Sequence, residues 1–260
     1  MSFMNNFHGA QTLIHQLSKH GATITPAVTE ALKVRDDLAT AVTELHSVKA
    51  TLTDAVVDAV AAGTNPLKDD RVLDALNATT LLNNMLGTST RVDDNVVDAM
   101  RESAPELAAQ LVPEFDEAAT RLTDIAPILD GLDPLDARDN HTLRNSNNPD
   151  KLVAVVEAMQ LSRKIVELGD LHESLLYLAG HRGGHGYGKW SVVPIQKAIE
   201  YTNSALDQWC QLKPVSALAK GLRLELLDLD ARARYRSDFE TADAERKARN
   251  EQAAMERAFR

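Results

Sequence analysis

The chain has 260 residues, a formal net charge of −10 and only 4% aromatic residues. The acidic balance argues against a general nucleic-acid binder, because affinity for phosphates needs clustered Lys and Arg, and the single Cys210 excludes both an intramolecular disulfide and a cysteine-based zinc site. No signal-like N-terminus and no run of about 18 apolar residues is present, so we expect a soluble, untargeted protein with no membrane contact.

Cap residues followed by proline predict three helix starts, at Thr25-Pro26, Asn65-Pro66 and Asn148-Pro149. Glycines, which adopt the left-handed conformation that stops a helix, predict four ends. These ends are Gly63, Gly87, Gly131 and Gly180. The first helix is therefore expected to run without a break over residues 26–62.

Apolar residues recur every seven positions along that first helix, which indicates a coiled-coil-like seam. The seam consists of Ala31, Leu38, Leu45, Leu52 and Ala59, flanked by Val34, Ala41, Val48 and Ala55. Its partner helix could come from the same chain or from another copy. A leucine-rich return helix over residues 66–86 predicts an antiparallel hairpin within the chain.

Residues 91–140 contain thirteen Asp or Glu and only four Arg, so this segment carries nearly all of the excess negative charge of the chain. We interpret this acidic segment as a solvated face, or alternatively as a docking site for a basic protein partner or a mimic of a polyanion.

Pro105, Pro113 and Pro127 predict short or kinked helices, with Ser103 as a new cap. Little apolar content marks 132–148 as a linker between an N-terminal region, 1–131, and a C-terminal region, 149–260.

The helix expected over residues 149–179 has a regular apolar seam. Its members are Ala154, Ala158, Leu161, Ile165, Leu168, His172, Leu175 and Ala179. His172 interrupts an otherwise apolar line, and a histidine in such a place is usually a core residue bonded to a neighbour.

A glycine-rich loop follows at 180–190, and it matches no phosphate-binding or dinucleotide-binding motif in full. Gly183, Gly188 and Lys189 match part of a phosphate-binding P-loop, but Trp190 occupies the place of the magnesium-binding Ser or Thr and helix precedes the loop. A dinucleotide-binding fingerprint fails because no strand precedes the loop and no β-α alternation occurs.

Histidines at positions 172, 181 and 185 offer an alternative metal site, although Gly183-Gly184 disfavours the helix that an i,i+4 pair needs. We therefore expect no metal and no cofactor. The loop instead suits contact with an acidic segment, a phosphate or another subunit through a cationic and aromatic patch. The members of this patch are His181, Arg182, His185, Tyr187, Lys189 and Trp190.

Two further helices are expected, over residues 192–212 and 214–260. The second becomes highly charged after Asp230, and five acid-to-base pairs at i,i+4 favour an exposed C-terminal arm. These pairs are Asp228/Arg232, Asp230/Arg234, Asp243/Lys247, Glu245/Arg249 and Glu256/Arg260. This arm is expected either to lie on a neighbouring surface, with Tyr235, Phe239 and Phe259 as its anchors, or to remain partly disordered.

These patterns predict an all-α fold, an elongated helical bundle with coiled-coil-like long helices and an extended C-terminal helix. They favour a non-enzymatic structural, assembly or adaptor protein that forms a homo-oligomer or a larger assembly. A viral or prophage assembly component, in the cytoplasm or in a particle assembled there, would fit. The alternatives are a ligand-binding, metal-binding or catalytic protein with its site at 180–190, and an acidic regulator of a basic partner.

Overall fold

The computed structural model describes residues 6–181, 189–199, 208 and 211–258, without the side chains of 86 and 256–258. Within these residues the fold is all-α, as predicted, and the strands comprise only two short segments. The helices are α1 (Phe7–Lys19), α2 (Pro26–Ala50), α3 (Leu52–Ala61), α4 (Asp70–Asn84), α5 (Leu86–Ala109), α6 (Val112–Ile125), α7 (Ala137–Arg144), α8 (Pro149–Leu178), α9 (Ile195–Ala198), α10 (Pro214–Ala219) and α11 (Leu229–Ala258). The strands are β1 (Ser191–Val192) and β2 (Arg223–Leu224).

None of these described helices combines the length and the apolar character that crossing a bilayer requires. The chain forms two compact units, one of residues 1–15 and 24–103 and the other of residues 16–23 and 104–260. The division falls inside α5, between Ser103 and Ala104.

The first unit contains the predicted antiparallel hairpin, in which α4 packs against α2 and α3. Val72, Ala75 and Ala78 of α4 are buried on the hairpin side of that helix. The prediction of one unbroken helix over 26–62 is wrong, because the chain turns at Thr51 between α2 and α3. The Thr51 hydroxyl donates to the Val48 carbonyl at 2.8 Å, and its backbone N–H reaches the same oxygen at 3.1 Å, which tightens this turn.

Two predicted helix boundaries in the first unit are also wrong. Gly87 does not end a helix, because α5 begins at Leu86 directly after a turn at Met85 and takes the glycine into its first turn. Ser103 does not cap a helix but lies inside α5, where its buried hydroxyl hydrogen-bonds that of Thr25 at 2.7 Å. The predicted cap residue Thr25 therefore uses its hydroxyl for this contact and makes no side-chain cap at α2.

The second unit has its core between α6 and α8. Asn148 caps α8 as predicted, since its side-chain oxygen accepts from the backbone N–H groups of Asp150 and Lys151. The α8 seam is buried over most of its length, and the α6 side contributes large apolar residues. The largest fully buried side chains here include Phe115, Leu122, Ile165, Leu168 and Leu175.

The predicted linker, 132–148, contains helix α7 and lies within the second unit. Asp133 is buried there and accepts hydrogen bonds from the backbone N–H of Ser216 at 3.0 Å and from its hydroxyl at 3.2 Å. Leu143 of α7 is fully buried. The polar composition of this segment therefore reflects a structural hydrogen-bond network and does not mark the division between the units.

The helix predicted over 214–260 is interrupted, and the one predicted over 192–212 begins only at Ile195, with residues 200–207, 209 and 210 outside the described part of the chain. Residues 191–192 form β1, which pairs antiparallel with β2 through Ser191 with Leu224 and Val192 with Arg223. Gly221, at a φ of 73°, ends α10 and lets the chain enter β2, and α11 begins only at Leu229. In the described part of this stretch, α9, α10 and a two-stranded ribbon precede the long C-terminal helix.

Candidate functional site

The glycine-rich loop leaves α8 through a left-handed residue, as predicted. Gly180 has a φ of 92°, and the backbone N–H of His181 donates to the Leu176 carbonyl at 3.0 Å. This bond closes the helix end in the manner of a glycine C-cap. The side chain of His181 is exposed.

The far end of the loop is held against the middle of α8. Lys189 forms an ion pair with Asp170 at 2.8 Å, and the Trp190 indole N–H donates to the Leu212 carbonyl at 3.1 Å. The lack of a side chain at Gly169 permits this packing, since a Cβ there would lie 3.0 Å from the Lys189 carbonyl oxygen and 3.1 Å from Trp190. The loop therefore returns onto the same helix that it leaves.

The predicted contact patch is only partly within the described residues. Arg182, His185 and Tyr187 lie outside them, as does Phe259 at the C-terminus. Lys189 is exposed but paired with an acid, and Trp190 is half-buried. A partner-contact role for this patch stays a prediction, as does the alternative of a ligand or catalytic site at 180–190.

Two of the predicted partner anchors, Tyr235 and Phe239, pack within their own unit, and their role in partner contact stays a prediction. Tyr235 is only 7% exposed, and its hydroxyl donates to the Val193 carbonyl at 2.8 Å. Phe239 is half-buried and packs against two neighbouring apolar clusters that include Val192 and Val193. The first half of α11 is therefore an integral part of the second unit.

A buried polar cluster that the sequence did not predict lies where α11 meets α8. Arg232 is 5% exposed, forms an ion pair with Glu173 and donates from Nε to the Leu227 carbonyl at 3.0 Å. The Asp228 side chain accepts from the Ala231 backbone N–H at 2.7 Å. A salt bridge between distant helices has no local sequence signal.

His172 is 1% exposed and belongs to the same region. Burial, together with the positive charge of Arg232, lowers the pKa of its imidazole to about 4, so the ring is neutral near pH 7. Neither ring nitrogen has a hydrogen-bond partner among the described residues, contrary to the bonded core histidine that the sequence suggested. The described part of the chain contains no group of three His, Cys, Asp or Glu residues able to hold a metal, and His185 lies outside that part.

Several carboxylates of the acidic segment 91–140 are neutralised within their own units. In the first unit Asp93 lies 3.6 Å from Arg35, and Asp98 pairs with Arg101. In the second unit three further carboxylates pair with lysines. These pairs are Glu114 with Lys164, Asp130 with Lys151, and Asp136 with Lys213. The segment is thus not a single uncompensated acidic face.

The chain matches no known protein family, and no similar curated protein or solved structure was found.

Proposed function

We propose that the protein is a non-enzymatic assembly or adaptor protein that associates with other copies of itself through helix α2. The proposal depends most on one observation. The 25-residue α2 buries only a single residue, Val28, although α4 packs along it. One side of the predicted apolar seam is therefore left open in the first unit.

The open side follows the flanking line of the heptad pattern. Val34 is 45% exposed and Val48 is 39% exposed, and Ala41 lies between them at the same seven-residue spacing. The same line becomes buried only in α3, where Ala55 is 2% exposed. A straight row of small and β-branched residues at heptad spacing is the surface on which another helix packs.

Energetics favour covering this row in an assembly. Removing the remaining exposed area of a valine from water contributes about 1 kcal/mol, and symmetric contact between copies repeats that gain on both partners. The seam leucines Leu38 and Leu45, which are only half-buried, would add to the same interface. A four-helix arrangement of two hairpins would enclose them.

A pair of double variants tests the proposal by light scattering coupled to size-exclusion chromatography. Val34→Glu/Val48→Glu places charges on the open row and should convert the assembly to a monomer. The matched control, Thr43→Glu/Ser47→Glu, adds the same charge on the exposed opposite side of α2 and should leave the mass unchanged.

Circular dichroism verifies that both variants keep their helix content. An unchanged mass for Val34→Glu/Val48→Glu, with intact helices, would show that α2 is not the interface. Equal dissociation of both variants would point to nonspecific charge repulsion and would also contradict the proposal.

A further inference from the structure

The open row of α2, which consists of Val34, Ala41 and Val48, has chemically different borders on its two sides. Residues three and four positions after a row member project to opposite sides of the row, about 60° and 40° around the helix. One border is an acidic line at seven-residue spacing, and its exposed members are Glu30, Asp37 and Glu44. The other border is an apolar line, and its half-buried members are Ala31, Leu38 and Leu45.

These borders make the two possible orientations of an α2 pair unequal. In a parallel pair, opposite sides of the two helices meet, so the acidic line of each copy lies on the apolar line of the other. In an antiparallel pair, like sides meet, so leucines pack on leucines and carboxylates face carboxylates at the edge of the contact.

The cost of placing the carboxylates decides between the two orientations. An ionised carboxylate that packs against leucine side chains loses its hydration and gains no partner charge in return, which is a large penalty. Carboxylates that face each other at a solvated edge keep their hydration, and salt screens their repulsion beyond about 8 Å at physiological ionic strength. The antiparallel pair therefore has the lower electrostatic cost, and it also buries the leucines.

We infer that two copies of the chain pair through α2 in antiparallel orientation, with Ala41 opposite Ala41, and form a closed dimer. The inference rests on the proposed association through α2 and adds its orientation and stoichiometry. Centring the pair on Ala41 places Val34 of each copy opposite Val48 of the other, whereas a shift by one heptad would leave valines uncovered. Contact between identical surfaces about a twofold axis closes the assembly at two copies.

Disulfide trapping in the full-length chain tests the orientation, with Cys210→Ser as the background. Val34→Cys is oxidised alone and in an equal mixture with Val48→Cys, and a size tag distinguishes the two variants. In the antiparallel pair the two copies of residue 34 are separated by about 21 Å along the helix axis, which is beyond the reach of a disulfide. We expect the 34–48 crosslink to form about tenfold faster than the 34–34 crosslink, because pairing raises the effective concentration of the facing thiols. Thr43→Cys, on the exposed opposite side of α2, measures the collisional rate that the 34–34 crosslink should match.

Charge substitutions on the acidic line supply the second arm of the experiment. The inferred register places Asp37 opposite Glu44 of the second copy, and this contact occurs twice in the dimer. Asp37→Lys should therefore lower the dissociation constant about tenfold in sedimentation equilibrium at low salt. Glu30→Lys is the matched control, because the residue opposite it is the uncharged Thr51, and it should change the constant by less than about threefold. In a parallel pair both lysines would lie on the apolar line and would weaken association.

The outcomes separate failure of this inference from failure of the proposed function. A 34–34 crosslink that forms as fast as the 34–48 crosslink, or faster, would overturn the antiparallel orientation and leave association through α2 intact. Weaker association of Asp37→Lys would also overturn the orientation. Both crosslinks at the Thr43→Cys rate, or a monomeric wild type by light scattering, would instead refute the proposed association through α2 itself.

Discussion

Replacing Gly169 by alanine should open the closest contact between α8 and the end of the glycine-rich loop. The added Cβ would lie 3.0 Å from the Lys189 carbonyl oxygen and 3.1 Å from both the Cβ and the Cε3 of Trp190. One of these atoms belongs to the backbone, and the Trp190 indole is held by its hydrogen bond to Leu212. A shift of the Trp190 ring would disturb this hydrogen bond.

The magnitude follows from two opposing contributions. Alanine in place of glycine inside a helix stabilises it by up to about 1 kcal/mol. Overpacking of a closely packed site costs about 1 to 3 kcal/mol. The net effect at Gly169 is therefore a loss of up to about 2 kcal/mol. Gly87→Ala is the matched control, because that glycine also lies in a helix and a Cβ there would meet nothing within 4 Å.

Urea unfolding followed by circular dichroism measures both variants. Gly169→Ala should lower the free energy of unfolding relative to Gly87→Ala by about 1 to 3 kcal/mol, and tryptophan fluorescence should report a changed environment of Trp190. Equal stability of the two variants, with an unchanged fluorescence spectrum, would refute the packing of the loop end on α8.

The buried cluster between α8 and α11 gives two further predictions. His172 has a pKa of about 4 when folded against an ordinary 6.5, so the unfolded chain takes up a proton first as the pH falls. The contribution of His172 to the free energy of unfolding is therefore complete above pH 6.5 and decreases towards pH 4 by up to about 3 kcal/mol. In urea unfolding, His172→Leu should reduce this decrease, whereas the exposed control His46→Leu should not. Glu173→Ala should lower the free energy of unfolding by about 3 kcal/mol because it removes the carboxylate that pairs with the buried Arg232 guanidinium. Glu225→Ala removes one member of an exposed pair and should lower it by less than about 1 kcal/mol. An equal loss of stability in both variants would contradict this assignment.

Local sequence signals predicted much of the helical framework. The Asn148 cap, the left-handed Gly180 and the return helix after α2 depend on residues within one or two turns of each other. Such signals could not predict the turn at Thr51, where a hydroxyl competes for a helix carbonyl, or the continuation of α5 through Pro105. Gly221, which is left-handed, is a local signal for the end of α10, but the helical pattern of charged residues after it favoured a continuous helix.

The candidate site was less predictable because its contacts join distant positions. Arg232 looked like one member of an exposed helical pair, yet it is buried and pairs with Glu173 from another helix. Similarly, Tyr235 looked like an anchor for a partner, yet its hydroxyl bonds Val193 in its own unit. Gly169 has no distinguishing sequence signal within its predicted helix, although the absence of its side chain allows the end of the loop to pack there.

Sedimentation equilibrium of the wild-type chain, over a range of protein concentrations, tests self-association most directly. We predict a mass of two or more times the 28.4 kDa of one chain, increasing with concentration. A mass of 28.4 kDa at every concentration would contradict assembly through the open row of α2.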